Sequence, residues 1–200
     1  GSICAIREAF AHRGFVLLTA GFFVCGFHVA FITVHLPIYV ADLKLAPMVG
    51  AFAISLIGIF NIFGSLLSGA FGQRFSKKLG LSGIYALRAL VLTIFLLSPK
   101  TTEVIYLFAA TMGILWLSTV PLTAGLVAQV FGIRYMATLY GFVFLSHQIG
   151  SFIGVWMGGY IHDVTGSYDL MWQAGIVLGL VAAIIHLPIN EAPVARLQRA

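Results

Sequence analysis

Charge is what this 200-residue chain has least of. Charged residues make up 8% of it, as 11 lysines and arginines and 6 aspartates and glutamates, whereas about a quarter of the residues in an average soluble domain are charged. So few charges cannot cover the water-facing surface of a folded domain of this size, which excludes a soluble globular domain and a disordered chain. The chain is instead 60% hydrophobic, with a mean hydropathy of +1.05. These values predict an integral membrane protein that lies in the lipid bilayer.

Cysteine and acidic residues are scarce as well. The two cysteines, Cys4 and Cys25, are separated by most of a helix, so a disulfide-stabilised scaffold is excluded. The basic residues are scattered between apolar runs rather than clustered, which argues against nucleic acid as a partner. No motif for a cofactor or metal is present, so we expect none. The chain also lacks an initiator methionine, and we interpret it as a piece of a longer protein.

Six apolar stretches are each long enough to cross a bilayer as a helix, which takes about 20 residues. They cover residues 14–39, 48–72, 81–97, 104–131, 136–161 and 170–189. The strands of a membrane β-barrel would alternate in character over only about 10 residues. The sequence therefore predicts an all-α membrane protein. We expect residues 1–13 to form a cytoplasmic linker, residues 14–190 a lobe of six transmembrane helices, and residues 191–200 a cytoplasmic tail.

The distribution of lysine and arginine predicts the orientation of these spans. The basic residues at one set of span ends are Arg7, Arg13, Arg74, Lys77, Lys78, Arg134, Arg196 and Arg199. The other set of ends has only Lys44 and Lys100. Because positive charge concentrates in cytoplasmic loops, we expect both termini of this multi-pass protein to be cytoplasmic.

The second and fifth spans resemble each other without gaps at an offset of 86 residues. Residues 61–68 align with residues 147–154, and Gly72 aligns with Gly158. Since the two spans cross the membrane in opposite directions, a three-helix unit is predicted to recur upside down, as in many secondary transporters. Chance similarity between glycine- and serine-rich segments is the alternative.

Several polar residues lie inside the spans, where they are costly enough to suggest a function. His28 and His147 both lie near the middle of the membrane and are predicted to bind substrate or a proton, because histidine titrates near neutral pH. The other candidates for the binding pocket are Asn61, Trp116, Thr119 and Gln148. A buried neutral histidine bound to a neighbouring carbonyl is the alternative for each imidazole.

Arg88 is the one full charge inside a span. A guanidinium can bind a carboxylate through two hydrogen bonds, which would make Arg88 an anion site. It can equally reach towards the membrane surface or hold backbone carbonyls between packed helices. We favour the structural role.

The loop between the second and third spans resembles a known signature. Residues 69–78, Gly-Ala-Phe-Gly-Gln-Arg-Phe-Ser-Lys-Lys, are similar to the Gly-x-x-x-Asp-Arg-x-Gly-Arg-Arg/Lys loop of the major facilitator superfamily. Gln73 stands in place of the usual aspartate and Ser76 in place of the second glycine. The resemblance implies a gating loop formed by Gly69, Gln73, Arg74, Lys77 and Lys78. The degenerate motif favours the C-terminal six-helix half of such a transporter.

A second resemblance concerns longer stretches of the amino-acid sequence. Residues 121–134, 141–150 and 158–169 are similar to bacterial relatives of the monocarboxylate transporters and of the oxalate/formate antiporters. This resemblance implies alternating-access transport of a small organic anion, with proton coupling, a bacterial inner membrane and an N-terminal six-helix half as partner. In that family the first, second, fourth and fifth helices of a half line the cavity. This strengthens the pocket candidates and weakens Arg88 as a direct ligand.

Two other classes remain as alternatives. A six-helix intramembrane enzyme would need a nucleophile or metal motif, and neither Ser146-His147 nor Gly64-Ser65 has the required spacing. A non-transporting membrane scaffold would need no such motif.

Overall fold

The computed structural model describes residues 2–195, and all of their regular structure is α-helical. The helices are α1 Ser2–Ala11, α2 Arg13–Asp42, α3 Pro47–Arg74, α4 Lys77–Leu97, α5 Thr102–Leu115, α6 Thr119–Phe131, α7 Met136–Thr165 and α8 Asp169–His186. Six spans are long and apolar enough to cross a membrane, with α5 and α6 together forming the fourth. This architecture confirms the predicted all-α membrane fold.

The helices end where the sequence supplies a chemical reason. Pro47 is the first residue of α3, a position where a backbone N–H would have no acceptor within the helix. The side chains of Ser76 and Thr101 accept hydrogen bonds from backbone amides in the first turns of α4 and α5. Gly166 ends α7 with a φ of 70°, a left-handed conformation that suits glycine. Loops of two to four residues therefore separate the spans.

The segments that flank the spans are ordered where they are described. Residues 2–11 of the predicted linker form α1, whose Ala5 and Ala9 are buried against the bundle. In the predicted tail, the amide of Val194 donates to the carbonyl of Val130 at the end of α6 (2.8 Å). Residues 196–200 of that tail lie outside the described part of the chain. Both segments extend the lobe on the side where the basic residues lie.

The helix packing has an internal symmetry. Helix α2 packs along α7, α3 packs along α5, and α4 packs along α8. Exchanging the first three spans with the last three converts the first pair into the second and returns the third pair to itself. The packing therefore matches the predicted repeat of two inverted three-helix units.

Glycines 86 residues apart make the two symmetric contacts. A Cβ atom on Gly150 of α7 would lie 2.1 Å from the carbonyl oxygen of Phe23 on α2. A Cβ atom on Gly64 of α3 would lie 1.8 Å from the carbonyl oxygen of Ile114 on α5. Only glycine allows backbones to approach so closely, and in lipid such close packing is a main source of helix association.

Aromatic side chains fill the core at the end of the lobe opposite the termini. Trp172 of α8 is 1% exposed, and its ring lies 5.0 Å from that of Phe31 and 5.3 Å from that of Phe95. A second apolar cluster lies towards the termini and includes Phe15, Phe22 and Phe131. The polar residues of the middle of the membrane lie between these two clusters.

Candidate functional site

The fourth span is broken near the middle of the membrane. Helix α5 ends at Leu115 and α6 begins at Thr119, so residues 116–118 lie outside regular helix. Pro121 has no N–H and cannot donate to the carbonyl of Leu117, which weakens the helix at this point. A break leaves backbone carbonyls and amides without helical partners, and in the membrane interior only protein groups can satisfy them.

Arg88 holds the carbonyl end of the break. Its side chain, 1% exposed, donates to the carbonyl of Leu115 from Nε (3.1 Å) and from Nη2 (2.7 Å), and Nη2 also donates to the carbonyl of Trp116. The positive charge therefore lies at the negative end of the α5 dipole. This geometry is the carbonyl-holding arrangement that the sequence analysis favoured. The remaining nitrogen, Nη1, is buried without a hydrogen-bond partner.

Asn61 binds the amide side of the same break. Its Oδ1 atom accepts a hydrogen bond from the amide of Leu117 at 3.0 Å and another from the hydroxyl of Ser65 at 3.2 Å. The Ser118 hydroxyl donates back to the carbonyl of Ile114. Side chains from α3 and α4 thus replace the hydrogen bonds that the fourth span lost.

A buried thiol joins this group from the first span. The Sγ atom of Cys25 lies 3.2 Å from the Thr119 hydroxyl and 3.7 Å from Nη2 of Arg88. Both Cys25 and Thr119 are fully buried. The sequence analysis predicted Thr119 and Trp116 but assigned Cys25 no role, because a lone cysteine in an apolar run has no spacing signal. Side chains of the first, second and third spans therefore meet at the break in the fourth span.

The two mid-membrane histidines have different neighbours. Nε2 of His28 lies 2.7 Å from the carbonyl oxygen of Gly175 on α8. The ring of His147 stacks on that of Phe144 with centroids 5.4 Å apart, and its Nδ1 atom lies 3.3 Å from Oε1 of Gln148. His28 therefore faces α8 rather than His147. His147 packs against the segment of α2 that contains Cys25, since its ring lies 5.0 Å from that of Phe22 and its carbonyl lies against Gly26.

The predicted gating loop is bound to the chain's C-terminal segment. The Ser76 hydroxyl donates to Oε2 of Glu191 (2.7 Å), and the amide of Lys78 donates to Oε1 of the same carboxylate (3.0 Å). The Lys77 ammonium donates to Oε1 of Gln129 (2.7 Å), whose amide donates to the carbonyl of Glu191 (3.0 Å). Glu191 thus supplies an acidic group at the loop that lacks an aspartate at position 73. The sequence analysis missed Glu191, because its only signal is that it is an acidic residue at the end of the lobe where the basic residues lie.

The residues at the far end of the lobe form a separate polar group. Nδ1 of His35 lies 2.9 Å from the Tyr168 hydroxyl, and Nε2 of His162 lies 2.8 Å from Oδ2 of Asp42. Within residues 2–195, no group of three or more histidine, cysteine or acidic side chains could hold a metal ion. The candidate site is the group at the break, where polar side chains from three other spans meet the fourth.

Comparison with known proteins supports this fold. The sequence profile of the Major Facilitator Superfamily matches residues 18–199. The chain is 29% identical to the uncharacterized MFS-type transporter YcxA of Bacillus subtilis over 86% of this chain and 43% of YcxA. It is 28% identical to monocarboxylate transporter 14 of mouse, over 89% of this chain and 36% of that protein. It is 24% identical to monocarboxylate transporter 13 of rat, over 78% of this chain and 37% of that protein.

The chain thus spans about two fifths of the length of the curated relatives it matches. Its six spans and their inverted packing agree with the profile match, which covers nine tenths of the chain. The relatives' names, which describe transporters, agree with the prediction of a transporter rather than an enzyme. This chain belongs to the Major Facilitator Superfamily.

Proposed function

We propose that the chain is the C-terminal six-helix lobe of a secondary active transporter that moves a small monocarboxylate-like anion by alternating access. Relatives named as monocarboxylate transporters support the substrate class, and the share of their length that the chain covers supports a missing N-terminal half. The solute would lie at mid-membrane between the two lobes. The lipid bilayer, the solute, a proton and the N-terminal half are the proposed partners, in a bacterial inner membrane with both termini cytoplasmic.

The charge of Arg88 is the observation that best supports an anionic substrate. The hydrogen bonds of Arg88 to described residues go to backbone carbonyls and to the Cys25 thiol, so no described carboxylate neutralises it. An unneutralised charge in the membrane interior is costly and usually serves a function. Backbone carbonyls hold this guanidinium in place, and its field favours an anion in an adjoining cavity. Arg88 would therefore attract the substrate through its charge while it holds the break.

His147 is the proposed proton and substrate residue. It is 7% exposed, and its Nδ1 atom faces the uncharged side chain of Gln148. A histidine without a carboxylate partner can gain and lose a proton as its surroundings change. Asn61, Trp116 and Thr119 would shape the pocket, and His28 would bind substrate or proton from the α8 side. We favour proton-coupled symport over exchange.

Helix movement during alternating access would use the glycine contacts and the basic loop. Backbones in direct contact at Gly64 and Gly150 can slide without interlocking side chains. The hydrogen bonds from Ser76 and Lys78 to Glu191 join the basic loop to the segment that follows α8. They would stabilise one of the two conformations of the transport cycle. Opening would then require these bonds to break.

The test is uptake by the full-length transporter in proteoliposomes with an imposed pH gradient. Radiolabelled monocarboxylates of two to five carbons serve as substrates. We expect His147→Ala to lower uptake at least tenfold. The matched control His162→Gln, at the far end of the lobe, should transport normally.

Three outcomes would contradict the proposal. Normal uptake in His147→Ala would remove His147 from the site. Uptake independent of the pH gradient would remove the coupling, and no uptake of any organic anion would favour the scaffold alternative.

A further inference from the structure

A groove opens between α3, α4 and the broken fourth span. Its volume is about 330 Å³, and Gly64, Gly80 and Gly83 form part of its floor. The side chains along its walls are apolar and partly exposed, and they include Leu67, Phe71, Leu79, Leu87 and Ile114. The groove is therefore an apolar channel that the lobe itself leaves uncovered.

The groove extends through the depth of one leaflet of the membrane. From Arg74, the last residue of α3, to Gly64 is ten residues, or about 15 Å of helix at 1.5 Å per residue. This is half of a hydrocarbon core of about 30 Å. At Gly64 the groove is closed, because α3 and α5 touch there through the carbonyl of Ile114. A membrane-spanning helix of another protein could not lie along it, whereas an acyl chain of one leaflet fits.

The open end of the groove is basic. A second depression, lined by Gln73, Arg74 and Phe75, shares Leu67 and Phe71 with the groove. Arg74 is exposed and Lys78 half-exposed, and neither forms an ion pair with a described residue. The acid at this end, Glu191, already accepts hydrogen bonds at both carboxylate oxygens. Two cations are therefore available where a lipid headgroup would lie.

The inverted repeat provides an internal comparison. The equivalent groove between α2, α7 and α8 is also apolar, with a volume of about 550 Å³, and is lined by Phe23, Ile153 and Gln173. It lies towards the other membrane surface, beside the exposed carboxylate of Asp169, the first residue of α8. The two grooves share their construction and differ in the charge at the open end.

We propose that the groove between α3 and α4 binds one anionic phospholipid. An acyl chain would lie in the groove against Gly64 of α3 and Leu87 of α4, and the phosphate would lie at Arg74 and Lys78. Basic side chains at a membrane surface attract anionic lipid, and basic pockets between transmembrane helices bind anionic headgroups. The inner end of the groove touches Leu115 and Ser118 of the break, whereas the phosphate would lie at the other end of the groove, beside Arg74. The α2–α8 groove should show no preference for anionic lipid.

The test uses the full-length protein in phosphatidylcholine nanodiscs that contain a photoreactive phospholipid with a diazirine in its acyl chain. Phosphatidylglycerol and phosphatidylcholine versions of the probe are compared, and the cross-linked peptides are mapped by mass spectrometry. We expect the phosphatidylglycerol probe to label residues 64–71 and 79–87 at least fivefold more than the phosphatidylcholine probe. Equal labelling by the two probes would overturn the proposal.

Two variants separate the acyl-chain site from the headgroup site. Gly83→Phe should abolish labelling in the groove, because a Cβ there has no neighbour within 4 Å and the ring can fill the groove without disturbing the backbone. Its control is Gly58→Phe, at an exposed position of α3 that also has no neighbour within 4 Å and lies outside the groove. The double variant Arg74→Gln, Lys78→Gln should keep the labelling but lose the preference for phosphatidylglycerol, while Arg134→Gln should retain it.

A benzophenone probe at position 83 tests the other possible occupants. It is attached to Gly83→Cys in a Cys4→Ser background, since Cys4 is exposed and Cys25 is buried. Cross-links to phospholipid support the proposal. Cross-links to a second polypeptide, or unchanged lipid labelling in Gly83→Phe, would refute it.

Discussion

Adding a single methyl group at either symmetric glycine contact should destabilise the lobe. In Gly150→Ala the new Cβ would lie 2.1 Å from the carbonyl oxygen of Phe23, and in Gly64→Ala 1.8 Å from that of Ile114, whereas ordinary contact begins at 3.4 Å. The helices must separate by more than an ångström, and in both cases the obstacle is backbone that cannot rotate away. Overpacking of this kind costs about 1–3 kcal/mol.

Two matched controls isolate this effect from helix propensity. Gly58 lies on α3 with Gly64, and Gly141 lies on α7 with Gly150; a Cβ at either control position would have no neighbour within 4 Å. Gly58→Ala and Gly141→Ala should therefore be neutral, or stabilising by up to about 1 kcal/mol, because alanine favours helix. The prediction is thus a difference between variants on the same helix.

Thermal unfolding of the purified protein in detergent measures the difference. For a domain of this size, 1 kcal/mol shifts the Tm by about 2–4 °C, so we expect Gly64→Ala and Gly150→Ala to unfold several degrees below their controls. Equal Tm values for Gly150→Ala and Gly141→Ala would refute the close contact of α2 and α7. A loss at only one of the two glycines would contradict the symmetry of the packing.

Three further changes test the polar groups. Arg88→Lys keeps the charge but cannot hold two carbonyls with one planar fork, so it should lower the free energy of unfolding by about 1–3 kcal/mol; an unchanged Tm would show that the carbonyls do not depend on Arg88. Asn61→Ala removes the acceptor of the Leu117 amide and should cost about 1 kcal/mol, whereas wild-type stability would mean that the amide has another partner. Glu191→Gln removes the negative charge at the start of α4 and should speed amide hydrogen exchange in residues 76–79, measured by mass spectrometry; unchanged exchange would contradict a stabilising role for Glu191.

The break in the fourth span shows which features the sequence predicts and which depend on tertiary packing. The apolar run from residue 104 to 131 predicts one span, and Pro121 signals weakened hydrogen bonding within it. That the chain leaves the helix at residues 116–118 depends on Arg88 and Asn61, which come from two other spans. No local pattern links an arginine in the third span to a carbonyl in the fourth, because they meet only through packing.

The histidines illustrate the same limit at the candidate site. Spacing along a helix predicts that His28 and His147 lie at similar depths, since depth follows from the rise per residue. It does not predict the direction that each ring faces once the helices are rotated against their neighbours. The structure turns His28 towards Gly175 and leaves His147 beside Gln148. Cys25 became a candidate only because it lies next to Thr119 and Arg88.

By itself the sequence determined that this protein is a bundle of six membrane-spanning helices, because hydrophobic length and the need to satisfy backbone hydrogen bonds in lipid allow little else. The 86-residue similarity also indicated the inverted repeat in advance. Only the tertiary structure decided which carbonyls Arg88 holds, which carboxylate meets the basic loop, and where a basic-ended groove remains open. These features depend on side chains from distant segments that meet through helix rotation and packing, and no local periodicity records that geometry.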